Sequence, residues 1–193
     1  MLLRSGALPA PLEVLEERTV GAGLGADSIQ AGVVASVIGL IAVVVFMIAA
    51  YGLFGLFTTA AVFMNLFLML GAMSFIGTTL TLPGIAGIIL TIGMAVDANV
   101  LIFERMREEV KNGRSTKDAA EAGFTEAWNT ILDSNLTTLV AGFVLFWFGT
   151  GPVRGFAVTL TIGILTSMFT SVTVSRLIIA YWISRYKPTR LPI

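Results

Sequence analysis

From Ser28 to Val96 the chain carries no charged side chain. A helix on the surface of a soluble domain needs a polar face that recurs every third or fourth residue. A strand that borders water needs polar residues at alternate positions. This stretch offers neither, yet it is long enough for three membrane crossings at about 20 residues each. Only 12% of the residues are charged, against roughly 25% in a soluble domain. They gather mainly in 1–27, in 104–126 and at the C-terminal end. The pattern specifies an all-α integral membrane protein.

Five apolar spans can be read, at about 29–50, 54–73, 82–103, 131–148 and 156–182. Residues 28–186 form the transmembrane unit and 187–193 a tail. Asp27-Ser28 is placed to cap the first span, and Gly52 and Gly55 to separate it from the second. Pro83 and Pro152 fall in the first turns of the third and fifth helices, where proline is tolerated. Gly149-Thr150-Gly151 makes the connection before the fifth span. Residues 11–20, PLEVLEERTV, are β-branched and charged. They are expected to be strand-like, with 1–27 the remnant of a larger domain outside the membrane.

The basic residues orient the chain. Arg105, Arg107, Lys111, Arg114, Lys117, Arg185, Lys187 and Arg190 share one side, and Arg4, Arg18 and Arg154 the other. The positive-inside rule then sets the N-terminus outside and the C-terminus in the cytoplasm. Tyr51, Trp128, Tyr181, Trp182 and Tyr186 are expected in the inner interfacial belt, and Trp147 in the outer. In the loop 104–128, the third helix should run on through Glu104–Val110, with Arg105 and Glu109 spaced as an i,i+4 pair, and stop at Asn112-Gly113. Ser115-Thr116-Lys117-Asp118 reads as the next helix start. Its apolar stripe of Ala120, Phe124, Ala127 and Ile131 predicts an amphipathic helix along the cytoplasmic interface that bends into the fourth span.

Within the spans, GMAVDANVLIFER at 93–105 stands out. Asp97 lies six residues before Phe103, about 9 Å along the helix from the end of the apolar run. An aspartate at such depth costs about 2.5–3.5 kcal/mol on insertion scales. Apolar surroundings favour a neutral carboxyl and a nearby cation the ionised one, so a group of this kind is suited to loading and releasing protons. The plainer reading is a protonated carboxyl in one interhelical hydrogen bond. Gly93, four residues earlier, lets another backbone approach on the same face, and Asn99 adds a second polar side chain.

The fourth span opens with Asp133-Ser134-Asn135-Leu136-Thr137-Thr138. One reading is an interfacial cap with hydroxyls bonded back to the helix. The other is a polar path facing Asp97, with Asp133 and Thr137 on one face. The fifth span carries small and polar residues at Gly155, Thr159, Gly163, Thr166, Ser167, Thr170 and Ser171, a stripe best suited to close packing, with the lining of a hydrated path as the other reading. Asn65 reads as an interhelical hydrogen-bonding residue, and Arg176 as reaching for headgroups.

Histidine and cysteine are absent and no phosphate-binding loop is present. Thiolate and imidazole metal sites, and a histidine base, are therefore excluded. No nucleophile–base set is visible, so an enzyme is not expected, nor a cofactor. Zero net charge gives no reason to expect nucleic acid.

The stretches LPAPLEVLEERTVG, LGADSI, LPGIAGIILTIGMAVDANVLIFERMREE, DSNLTTL and GTGPVRGFAVTLTIGI resemble the SecD family of the SecDF membrane proteins, which assist bacterial protein export. AVDANVLIFER is the most specific of them. The related SecF pattern reads closer to VVFDRIRE and has arginine and threonines where this chain has Asp133 and its neighbours. The resemblance implies five of the six SecD helices, half of a resistance–nodulation–division (RND) membrane domain, in the bacterial inner membrane. It implies Asp97 as the residue through which the proton motive force is used, with Asp133 matching the place of a SecF arginine. It implies SecF, the SecYEG translocon, YajC and the unfolded preprotein as partners. The alternative is half of an RND-type exporter of small molecules or lipids.

Overall fold

The computed structural model describes residues 22–188, 191 and 192, with side chains described from residue 26 onward. The strand-like reading of 11–20 lies outside the described residues. Within them all regular structure is helical: α1 (Ala22–Ile76), α2 (Leu82–Lys111), α3 (Thr116–Phe148), α4 (Gly151–Phe169), a π turn (Thr170–Val174) and α5 (Ser175–Tyr186). Helix α4, the π turn and α5 run on as one apolar segment, Gly151–Tyr186.

Helix α1 would be about 80 Å long if straight, far more than a bilayer's hydrocarbon core of about 30 Å. It is not straight. Gly52 sits at φ 52°, ψ −121°, outside helical geometry, in a region open to glycine but not to a residue with a Cβ. The contacts with α2 show what the break does. A Cβ on Gly32 would lie 3.2 Å from Ile85 near the start of α2. Tyr51 and Phe54 pack on Phe103 near its far end, with ring centroids 5.5 and 5.3 Å apart. Met69 is back beside Thr91, 3.6 Å from its hydroxyl. The chain therefore ascends along α2, reverses at Gly52 and descends. Among the described residues four helices are long and apolar enough to cross a membrane, and the Gly52 break divides α1 into two arms, where the sequence reads a first and a second span.

The reversal is tight. A Cβ on Gly55 would fall 2.1 Å from the Met47 carbonyl oxygen, so the two halves of α1 touch backbone to backbone. Phe54 closes the turn against Trp182 of α5, at 5.8 Å. The tail folds under the same turn. Leu191 is buried in the core cluster, and the Thr116 hydroxyl donates to the Pro188 carbonyl at 3.0 Å.

Several local expectations hold. Thr81 caps α2 by accepting from the Gly84 amide, with Pro83 in the first turn. Asn112 ends α2 and Gly113 turns the chain at φ 86°. Ser115 caps α3 through the Asp118 amide at 3.2 Å. Others change. Helix α1 is already helical at Ala22, so Asp27-Ser28 lies inside it and is not its cap. Glu109 pairs with Arg114 at 2.7 Å, while Arg105 takes Glu108. The reason is burial: the Glu109 side chain is only 9% exposed, and Arg114, folded back by the Gly113 turn, covers it. Tyr51 is buried instead of lying in an interfacial belt, and its hydroxyl donates to Glu104 at 2.9 Å. The amphipathic segment and the fourth span are one uninterrupted helix. Its stripe of Ala120, Phe124, Ala127 and Ile131 is buried, and a Cβ on the neighbouring Gly123 would meet Met106 of α2 at 2.4 Å. That face packs on protein.

Candidate functional site

Two sides of α2 have opposite fates. Its inner side is cemented to α4 by small residues. A Cβ on Gly163 would lie 2.4 Å from the Thr91 side chain, and one on Gly155 2.5 Å from the Thr81 hydroxyl. Gly84 and Gly87 meet Thr159 at 3.2 Å in the same sense. Apart from Ser171, the hydroxyls of the stripe are spent on their own helix: Thr159 on the Gly155 carbonyl, Thr166 on Gly163, Ser167 on Ile164 and Thr170 on Thr166. This is the close-packing role read from the sequence.

The outer side is uncovered. Ala86, Leu90, Gly93, Asp97, Glu104 and Glu108 are exposed. They recur at three, four or seven residues, so they form one stripe along the helix, interrupted only at the half-covered Val100 and Leu101. Within the apolar part of the stripe, Asp97 is the only charge. Gly93, one turn away, has nothing within 4 Å of where a Cβ would stand. Among the described residues no hydrogen bond or ion pair reaches the Asp97 carboxylate. The sequence places a glycine and a carboxylate on one face for another backbone to approach; here that face exists and none of the described residues fills it.

Asn99 goes the other way. Two residues on from Asp97 it points about 200° around the helix and is 1% exposed. Its amide donates to the Ala95 carbonyl at 2.8 Å and to the Ser171 hydroxyl at 3.3 Å. The Ser175 hydroxyl donates to its Oδ1 at 2.7 Å, and Ser171 donates to the Ala95 carbonyl at 3.1 Å. This seam spans the π turn, where the Ser175 amide bonds the carbonyl five residues back, at Thr170. A π turn carries one residue more than an α turn and often marks functional positions. Here the extra residue brings Ser171 and Ser175 together onto Asn99. The sequence reading stopped its polar stripe at Ser171. The four-residue step from Ser167 through Ser171 continues to Ser175, which was the available signal. The π turn itself left none.

The fourth-span cluster is not drawn toward Asp97. Asp133 is exposed. Thr137 and Thr138 donate to the carbonyls of Asp133 and Ser134 at 2.9 and 3.1 Å, the back-bonded arrangement. Asn135 is buried and donates to the Ile131 carbonyl at 2.7 Å. Among the described residues no hydrogen bond joins Asp133, Asn135, Thr137 or Thr138 to Asp97 or Asn99. Asn65 is also a correction: it is fully buried, and neither its amide nitrogen nor its oxygen has a partner among the described residues. The same holds for the Thr58 hydroxyl two turns earlier.

The family model for the C-terminal part of the SecD/SecF protein export membrane proteins matches residues 7–185. The chain is 59% identical over 178 residues to the protein translocase subunit SecD of Calditerrivibrio nitroreducens, covering 92% of this chain and 34% of that one. It is 55% identical over 193 residues to the SecD subunit of Rhodobacter capsulatus, covering 100% and 35%. Among solved structures it is similar to SecDF, a translocon-associated membrane protein from Thermus thermophilus, with TM-score 0.89, 44% identity and coverage of 97% of this chain and 26% of that one. The super-membrane-facing form of SecDF gives 0.81 at 45% identity, covering 96% and 25%. The chain thus spans about a third of the length of the curated relatives it matches. The chain belongs to the SecD/SecF C-terminal family of protein export membrane proteins.

Proposed function

We propose that this chain is half of a proton-coupled membrane engine that assists the Sec translocase late in protein export, and that Asp97 is its proton carrier. The observation that carries the reading is the open stripe on α2. A carboxylate lies in membrane-length helix, with no hydrogen bond or ion pair among the described residues, beside a glycine with clear space over it. An ionised carboxylate in hydrocarbon needs a cation, and the clear space is where a second half would bring one. SecF is the partner proposed for that position, with an arginine from its membrane helices as the cation. Protonation of Asp97 releases that attraction and lets the two halves repack between states a few kcal/mol apart. Asp133, exposed early in the fourth span, is assigned to the same interface. The basic end at Arg105–Lys117 faces the cytoplasm of the bacterial inner membrane and the beginning of α1 faces the periplasm, where the longer protein would carry the domain that handles the preprotein. SecYEG and YajC complete the proposed assembly.

The partner assignment is tested by affinity purification of the full-length protein from membranes in mild detergent. SecF and SecYEG should be recovered with it, and deletion should slow export of secreted proteins. Recovery of neither, with hypersensitivity to toxic small molecules on deletion, would replace this reading by an exporter half.

A further inference from the structure

Between the start of α3 and the length of α5, at the basic end of the molecule, lies a groove of about 560 Å³. Its wall is apolar: Phe124 from α3, and Ile179 and Ile183 from α5. Its rim carries three cations, Lys117, Arg176 and Lys187, against one carboxylate, Glu121. None of the three cations has an ion-pair partner among the described residues. The guanidinium of Arg176 stands 6.0 Å over the Phe124 ring. Lys117 lies two turns nearer the helix start, about 10 Å along the axis, a gap that two long flexible side chains can close around one anion. The first turn of α3, whose free amides favour negative charge, borders the same end of the groove. Asp118 in that turn is held by the Ser115 hydroxyl at 2.6 Å.

We infer that this groove binds the headgroup of an anionic phospholipid, its phosphodiester between Arg176 and the two lysines and an acyl chain along the exposed Leu177 and Tyr181 of α5. The depth fits this occupant. Arg176 lies six residues before the end of the apolar run at Trp182 and Lys187 five residues after it, so the cations bracket the level at which a bilayer would change from hydrocarbon to headgroup. Leu177 and Tyr181, 67% and 69% exposed on α5, give the wall an outward surface that lipid also covers. A soluble anion would use the cations alone and leave Leu177 and Tyr181 uncovered. A lipid uses both. Basic pockets between membrane helices near their cytoplasmic ends are a recurrent place for anionic headgroups.

The test is native mass spectrometry of the chain released from mixed phosphatidylglycerol and phosphatidylcholine vesicles. The wild-type chain should retain phosphatidylglycerol with about a tenfold preference. Lys117→Gln with Lys187→Gln, and separately Arg176→Gln, should remove most of it. Lys111→Gln with Arg185→Gln removes the same charge outside the groove and should change retention less than about twofold. Each variant is checked for unchanged thermal unfolding. Equal losses from the two double variants would mean diffuse surface attraction and overturn the site. Inorganic phosphate displacing the lipid completely at equal concentration would overturn the lipid assignment in favour of a free anion, as would a wild-type chain without preference.

Discussion

Asp97→Asn in the full-length protein is expected to abolish the part of export that depends on the proton motive force, while the complex still assembles. Asparagine matches aspartate in shape and cannot cycle between neutral and charged forms. One charge moved across the full membrane potential is worth about 2.3 kcal/mol per 100 mV, roughly a 50-fold bias between two packings of the bundle. That bias is lost in the variant. The fold of this half should survive because the Asp97 side chain makes no hydrogen bond or ion pair to the described residues of this chain. The check is translocation into inverted vesicles with and without an uncoupler. Wild type should slow when the gradient is collapsed, and Asp97→Asn should be slow in both conditions. A variant as fast and as uncoupler-sensitive as wild type would reject the role. If the residue serves only packing, the variant changes thermal stability and nothing else.

Gly55→Ala is expected to cause the largest loss of stability of any single methyl added to this chain's helices. The new Cβ would stand 2.1 Å from the Met47 carbonyl oxygen. That obstacle is backbone and cannot swing aside as a side chain can. Relief requires the two halves of α1 to separate, and with them the contacts of Tyr51, Phe54 and Trp182 that fix the turn on α2 and α5. Overpacking of this kind costs about 3 kcal/mol, corresponding to a fall of roughly 6–12 °C in unfolding temperature for a chain of this size. Gly93→Ala is the matched control. It adds the same methyl where nothing lies within 4 Å and should leave the melting of this chain unchanged. Thermal unfolding by circular dichroism in detergent separates the two. Equal shifts would contradict the account of the hairpin.

The sequence resolved the long apolar helices well because hydrocarbon thickness and the cost of charge leave few solutions. The Gly52 break, the proline first turns and the Asn112-Gly113 stop follow from backbone sterics that one or two residues decide. What it resolved poorly depends on which way a helix faces. The Glu104–Arg114 region has several ways to pair its charges, and the choice of Glu109 with Arg114 is made by the burial of Glu109, a property of the packed bundle. Asp97 and Asn99 look like neighbours in one polar site when read along the chain. Rotation about the helix puts one on the open face and the other into a sealed seam with Ser171 and Ser175. The π turn that completes the seam has no composition of its own. Asp133 and Thr137 do share an exposed face, yet nothing in the sequence says whether anything covers it.

The question is therefore what lies over Gly93 and Asp97. This chain contains no cysteine, so Gly93→Cys gives it a single thiol in the middle of the open stripe, and a Cβ there has room. Ile41→Cys on the first half of α1, at a position 58% exposed, serves as the lipid-facing reference. In membranes holding the assembled complex, a short thiol-reactive photocrosslinker at 93 should couple to the membrane helices of the SecF half, and at 41 should couple to lipid. Coupling of position 93 to lipid alone, at the same yield as position 41, would contradict the claim that this face receives the half that supplies the cation for Asp97.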